Sequence, residues 1–230
     1  MQKNNITQAE RSFLATTDWL SHFASPVIKA ILDASIARDY AAGATIYKKN
    51  AKPDGIFGVI SGEIRFSEIN EAGQLFIMGI CRPGEWTGDI SSLDGGGRMS
   101  DAHAAVGTRV AYIKPVDIET IAERFPTFRR SLVTLFCANA RSVFEQFSQL
   151  LMLSPERFLA WRLYHLYGKS PVTEDILLRQ EDLAGLAGVS RQSIYLILKN
   201  WKSQEIAESR YGKIRIIDLN RLEKIFLSGD

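Results

Sequence analysis

Apolar residues fall at steps of three and four near the start of the chain, at Trp19, Leu20, Phe23, Val27, Ile28, Ile31 and Leu32. That is the spacing of one helical face, and Asp18 stands before it as a cap. From Tyr40 to about Ile113 the helical period disappears. Short β-rich runs punctuated by glycine replace it (GATIYKKN, GIFGVISGEIRFSEI, GQLFIMGICRPGEW, TRVAYIKP). Strands joined by turns at such close spacing predict a compact all-β roll or barrel.

Helical spacing returns after Pro115, first in VDIETIAERF and then, past Pro126, in a stretch from Thr127 to Leu153. There Leu132, Phe136, Val143, Phe147 and Leu150 recur at steps of three, four and seven, with Asn139 and Gln146 in the same stripe. A helix of ~25 residues runs roughly 38 Å, longer than one small domain needs. The pattern predicts a parallel two-stranded coiled coil between subunits, with Leu132, Phe136, Asn139, Val143, Phe147 and Leu150 at the interface and its polar members fixing register. An amphipathic helix packed on its own β domain is the alternative.

Ser154, Pro155 and Glu156 then supply a cap, a first-turn proline and a first-turn acid, so a new helix and a domain boundary are expected at this point. The segment RQEDLAGLAGVSRQSIYLILKNWKSQEIAE, residues 179 to 208, carries the most specific local pattern. Leu183, Leu186 and Ala187 line one helix. Ala184 is small enough for a close approach, Gly188 turns the chain, Val189 plugs the angle, and Ser190 caps a second helix bearing Ile194, Ile197, Leu198 and Trp201. This is the grammar of a helix-turn-helix, whose second helix enters the major groove of DNA.

On that reading Arg191 and Gln192 face outward in the first turn, where Arg pairs bidentately with guanine and Gln with adenine. Tyr195 follows one turn on, and Lys199 falls later, where a phosphate contact is expected. Arg179, Gln180 and Ser190 stand near helix starts and are candidates for backbone phosphate. IAESRYGKIRIID alternates like a hairpin with Gly212 near its turn, a basic wing.

Composition narrows the class without naming it. In 230 residues, 46% are hydrophobic and 23% charged, ordinary globular values that exclude global disorder. No apolar run of membrane-spanning length occurs and the N-terminus lacks a signal-peptide core, so a cytoplasmic protein with no membrane partner is expected. Cys81 and Cys137 lie far apart and His22, His103 and His165 are scattered, so neither a metal cluster nor a catalytic constellation is expected. The net charge of +2 resides in the last third: residues 155 to 230 hold 12 Lys or Arg against 10 Asp or Glu, leaving 16 against 16 before them.

PGEWTGDISSLDGGGRMSDAHA, residues 83 to 104, is a glycine-rich loop with an acid at Asp89 and an arginine at Arg98. Amides and arginine suit a phosphate and the carboxylate a ribose hydroxyl. A plain loop between strands is the other reading of this segment taken alone.

The order of these parts resembles the CRP/FNR family of bacterial transcription regulators over nearly the whole chain. GATIYKKNAKPDGIFGVISGEIRF is similar to its opening strands, PGEWTGDISSLDGGGRMSDA to its phosphate-binding cassette, and LSPERFLAWRLYHL to the first helix of its DNA-binding domain. The resemblance implies an α+β chain: an N-terminal double-stranded, jelly-roll-like β-roll as sensor (1–126), a dimerisation helix (127–153) and a winged helix-turn-helix (154–230). It implies a homodimer on a pseudo-palindromic operator in double-stranded DNA, working with RNA polymerase. A cyclic-nucleotide-type module regulating a partner protein is the rival.

Carried over by position, Gly88, Asp89, Arg98, Met99, Ser100 and Ser142 form the candidate effector site. The chain departs from the cyclic-AMP pattern in several places. Met99 stands where a serine is usual, with Ser100 one place late; Asp89 is shorter than the usual Glu; Val143 lacks the second hydroxyl beside Ser142; Asp101 would repel an anion. Cyclic AMP is therefore not expected as the effector: another small molecule is one reading, and a sensor that binds nothing, with activity set by expression or redox state, is the other. The iron–sulfur branch is excluded, since its N-terminal cysteine cluster is absent. Leu196 stands where a second arginine is common in the recognition helix.

Overall fold

The computed structural model describes residues 5–168 and 175–227. It divides into two compact units, Met1–Phe66 with Gly79–Ser142, and Ser67–Met78 with Val143–Asp230. The sequence placed its boundaries at residues 126 and 153. The packing instead divides the long helix between residues 142 and 143.

The first unit opens with α1 (Gln8–Ala15), α2 (Asp18–Ser21) and α3 (Ser25–Ala34). Thr7 caps α1 in a capping box with Glu10, and a proline sits in the first turn of α3. Eight strands follow: β1 (Ile36–Tyr40), β2 (Thr45–Tyr47), β3 (Ile56–Ser61), β4 (Ile64–Ile69), β5 (Leu75–Cys81), β6 (Trp86–Thr87), β7 (Asp101–Ala104) and β8 (Thr108–Ile113), with α4 (Asp89–Asp94) between β6 and β7. They form two four-stranded sheets in the orders β1-β8-β3-β6 and β2-β7-β4-β5. The non-sequential order means that neither sheet is built from consecutive hairpins alone, as the roll requires.

Strand alternation sorts the side chains into two cores. On β8, Val110 and Tyr112 face inward and join Phe57, Val59, Ile64, Cys81 and Ala102 between the sheets. Ala111 and Ile113 face the other way. They pack with Trp19, Leu20, Ile31, Trp86, Ile118 and Phe128 from the flanking helices, including α5 (Pro115–Arg124) and the start of α6 (Thr127–Met152).

The later unit contains the end of α6, then α7 (Pro155–Tyr167), α8 (Gln180–Ala187), α9 (Arg191–Ser203), a hairpin of β9 (Ala207–Arg210) and β10 (Lys213–Ile216), and α10 (Leu219–Leu227). Leu159, Leu163, Leu183, Ile194, Trp201, Ile214 and Leu222 are fully buried in it. The Trp201 indole donates to Glu156 at 2.8 Å, so the largest of these side chains leaves no unpaired donor.

Leu132, assigned from the stripe to the subunit seam, lies instead in the core of its own unit beside Leu135 and Phe128. A straight helix drifts from a strict seven-residue repeat, so one stripe cannot keep facing the same neighbour over 26 residues. Asn139 and Gln146, expected to fix register between subunits, are engaged within the chain. The Asn139 amide donates to Asp89 at 3.1 Å, and Gln146 accepts from Arg162. Phe136, Val143, Phe147 and Leu150 remain exposed, joined by Phe144 and Leu151.

Candidate functional site

The turn between α8 and α9 is built by local chemistry. Gly188 adopts a left-handed φ of 68° and closes α8, where a side chain would be strained. Its amide and that of Val189 donate to the Ala184 carbonyl. Ser190 then caps α9, its hydroxyl accepting from the Ser193 amide at 3.1 Å. Ile194, Leu198 and Trp201 anchor the inner face. The outer face therefore presents Arg191, Gln192, Tyr195, Leu196 and Lys199 to solvent.

The structure brings Ser190, Arg191, Gln192, Tyr195 and Lys199 together on one helix, as the sequence expected, and adds Leu196, 59% exposed among them. Arg179 and Gln180 mark the start of α8. The Arg179 amide donates to Asp182 and its guanidinium reaches Glu181 at 3.3 Å.

The wing is present, but its expected basic character is offset. Arg215 and Lys213 both pair with Asp175, at 2.7 and 3.7 Å, and Arg210 with Glu208 at 3.0 Å. Burial on the Arg215 side is slight, so these pairs matter for field rather than stability. Among the described residues Arg191, Lys199 and Lys202 carry no ion pair. At the wing's tip Tyr211, with φ 50°, and Gly212 make the turn, and Tyr211 is fully exposed.

The cassette is organised around two buried charges. Gly88 closes β6 with φ 97°, and a Cβ there would meet the Gly55 carbonyl at 2.6 Å and Arg98 at 3.0 Å, so only glycine lets the two come this close. Arg98 is fixed by its backbone, which exchanges hydrogen bonds with the turn at Asn50 and Ala51. Its Nη2 donates to Asp54 at 2.6 Å and to the Gly55 carbonyl at 2.7 Å, while Nε is buried without a partner.

The Tyr47 ring covers the guanidinium with its centre 4.4 Å away, a contact of ~0.5–2 kcal/mol. Burial pushes the Tyr47 hydroxyl up to about 12. Tyr47, Phe57 and Tyr112 continue as a row of tilted ring contacts, with Arg38 over Tyr112 at its far end.

Asp89 opens α4 and accepts from Asn139, but its Oδ2 is buried without a partner. Burial raises its carboxyl above the ordinary 3.8, against the opposing pull of its own amide, Asn139, the Ile90 amide and Arg98. Two expectations are corrected. Asp101 does not stand as a repelling charge, because Lys48 at 2.7 Å and the Lys49 amide at 2.8 Å hold it, and these bonds keep its carboxyl below the usual value. Two of the Gly95 to Gly97 amides are already engaged: Gly95 donates to the Ser91 carbonyl and Gly96 to Asp94. Met99 is 65% exposed and Ser100 is buried. Ser142 is exposed on α6.

The sequence missed Tyr47, Asp54 and Asn139 as members of this site. Tyr47 and Asp54 lie some fifty positions from Arg98 in sequence, and only the strand pairing brings them to it.

A β-roll with a phosphate-type cassette, followed by a helix-turn-helix with a wing, defines a ligand-sensing DNA-binding regulator. Residues 37–125 match the family described as "Cyclic nucleotide-binding domain", and residues 156–225 the "Crp-like helix-turn-helix domain". The cyclic AMP receptor protein of Thermus thermophilus is 25% identical over 82% of this chain and 87% of its own. Among solved structures, FixK2 of Bradyrhizobium japonicum has a TM-score of 0.74 at 18% identity, over 85% of this chain and 99% of that one. The c-di-GMP responsive global regulator CLP of Xanthomonas campestris has 0.69 at 16%, over 85% and 100%. This chain belongs to the CRP/FNR family of transcription regulators.

Proposed function

We propose that the chain acts as a homodimer on a pseudo-palindromic operator, reading base edges with Arg191 and Gln192 and gripping phosphate with Lys199. The observation that carries this is the outer face of α9, where these side chains stand together at a capped helix start. The apolar surface left on α6 by Phe136, Val143, Phe144, Phe147 and Leu150 is the subunit seam. The work is that of a regulator acting with RNA polymerase in the cytoplasm, with no catalytic role. A module that only regulates a partner protein leaves the α9 face without use.

Relatives named for cyclic AMP and for c-di-GMP share this fold, so the fold does not choose the effector. The enclosed Arg98 favours a small-molecule effector other than cyclic AMP. Retention of operator fragments against a salt gradient tests the DNA reading. Binding that falls steeply with salt and depends on sequence supports it; retention no better than that of an unrelated protein refutes it.

A further inference from the structure

Buried Ile194, Leu198 and Trp201 hold the inner face of α9, and the Trp201 indole donates to Glu156, so the rotation of the helix about its own axis is fixed. At about 100° per residue, the ridge opposite them runs through Gln192, Leu196, Lys199 and Ser203. All four are exposed. Leu196 stands in the middle of this ridge, 59% exposed, with Gln192 one turn before it and Lys199 one turn after. A single exposed leucine needs no explanation on an ordinary surface. Here it holds the centre of the face that enters the major groove if α9 reads DNA, between a side chain suited to a base edge and a cation suited to phosphate.

Leucine neither donates nor accepts a hydrogen bond. Set against the O6 and N7 of guanine, the N7 and amino group of adenine or the amino group of cytosine, it takes water from those atoms and returns nothing. Thymine alone presents a methyl group on the major-groove edge. We propose that Leu196 is a specificity-determining residue that packs on a thymine C5 methyl, close to the base read by Gln192, so that each half-site carries a thymine chosen by an apolar contact. The proposal rests on reading α9 as the recognition helix. The contact involves no charge, so its loss should leave the salt dependence of binding unchanged, unlike the loss of Lys199.

Deoxyuridine lacks this methyl and keeps the hydrogen-bonding edge of thymine, so it isolates the contact. The site that the full-length protein selects from a random DNA pool is prepared with each thymine of one half-site replaced in turn by deoxyuridine. These duplexes are titrated with wild type, Leu196→Ala and Lys199→Ala, each checked for folding by circular dichroism. Wild type should lose about 3- to 10-fold in affinity at one replaced position. Leu196→Ala should bind the unmodified site more weakly by a similar factor and lose nothing further at that position, the coupling expected of two groups in contact. Lys199→Ala should bind every duplex more weakly and keep the wild-type penalty for deoxyuridine. Should Leu196→Ala not fold, Leu196→Gln, tested in the same way, decides. A selected half-site without thymine, wild-type binding that no replacement weakens, or a deoxyuridine penalty that persists in full without Leu196 overturns the proposal and leaves the DNA reading intact. If the protein selects no DNA sequence at all, the regulator reading itself fails and the Leu196 contact falls with it.

Discussion

Arg191 and Lys199 stand about two turns apart on the outer face of α9, and their chemistry divides their work. Arg191→Ala should cost ~1–3 kcal/mol on the preferred site and relax discrimination at one base pair, whereas Lys199→Ala should weaken all sequences about equally. Competition titrations against point-mutated sites distinguish the two. Asp89 makes a prediction of another kind. Because burial raises its carboxyl, the folded chain holds that proton to higher pH than the unfolded chain does. Its contribution to stability is therefore greatest below 3.8, declines as pH rises from there through the folded value, and stays low at neutral pH. Asp89→Asn should remove this decline and raise stability at neutral pH. The difference between variant and wild-type urea stability from pH 4 to 7 measures it; a difference independent of pH refutes it. Asp89 and Arg98 were legible because their loop is a local pattern. Tyr47 was not, because its partner is set by which strands share a sheet.

The helix-turn-helix was legible at the element scale because its signals are contiguous. Gly188, Val189 and Ser190 do in the structure what their residue types announce, and the alternation of IAESRYGKIRIID became the β9–β10 hairpin. The long helix was legible in extent and only partly in facing. Its first turns belong to the roll core through Phe128, Leu132 and Leu135, and Asn139 turns to Asp89 rather than to a second subunit. What remains outward is a narrower apolar stripe, the proposed seam: Val143 is 63%, Phe144 74% and Phe147 57% exposed. Val143→Asp places an unpaired charge in that seam at a cost of several kcal/mol to association. Sedimentation should then show monomer where wild type is dimeric. Leu132→Ala, by contrast, should lower the melting temperature through a cavity of ~2–5 kcal/mol before it affects association. A Val143→Asp protein that stays dimeric refutes the seam.

For the whole molecule the net charge of +2 gives little attraction to DNA, and its distribution decides the matter. The wing's Lys213 and Arg215 are offset by Asp175, so the unpaired cations of α9 carry most of the local field. Asp175→Asn should release two cations and strengthen binding to any DNA, with a steeper dependence on salt. The sequence charge count could not show this, because it locates charges along the chain and not their partners. Selection of sites from a random DNA pool by the full-length protein tests the regulator reading most directly. Wild type should enrich an inverted repeat whose half-sites lie about one helical turn apart, and Arg191→Ala should lose one defined base from each half. Recovery of no common sequence, or of a motif that Arg191→Ala leaves unchanged, contradicts the reading of DNA by α9.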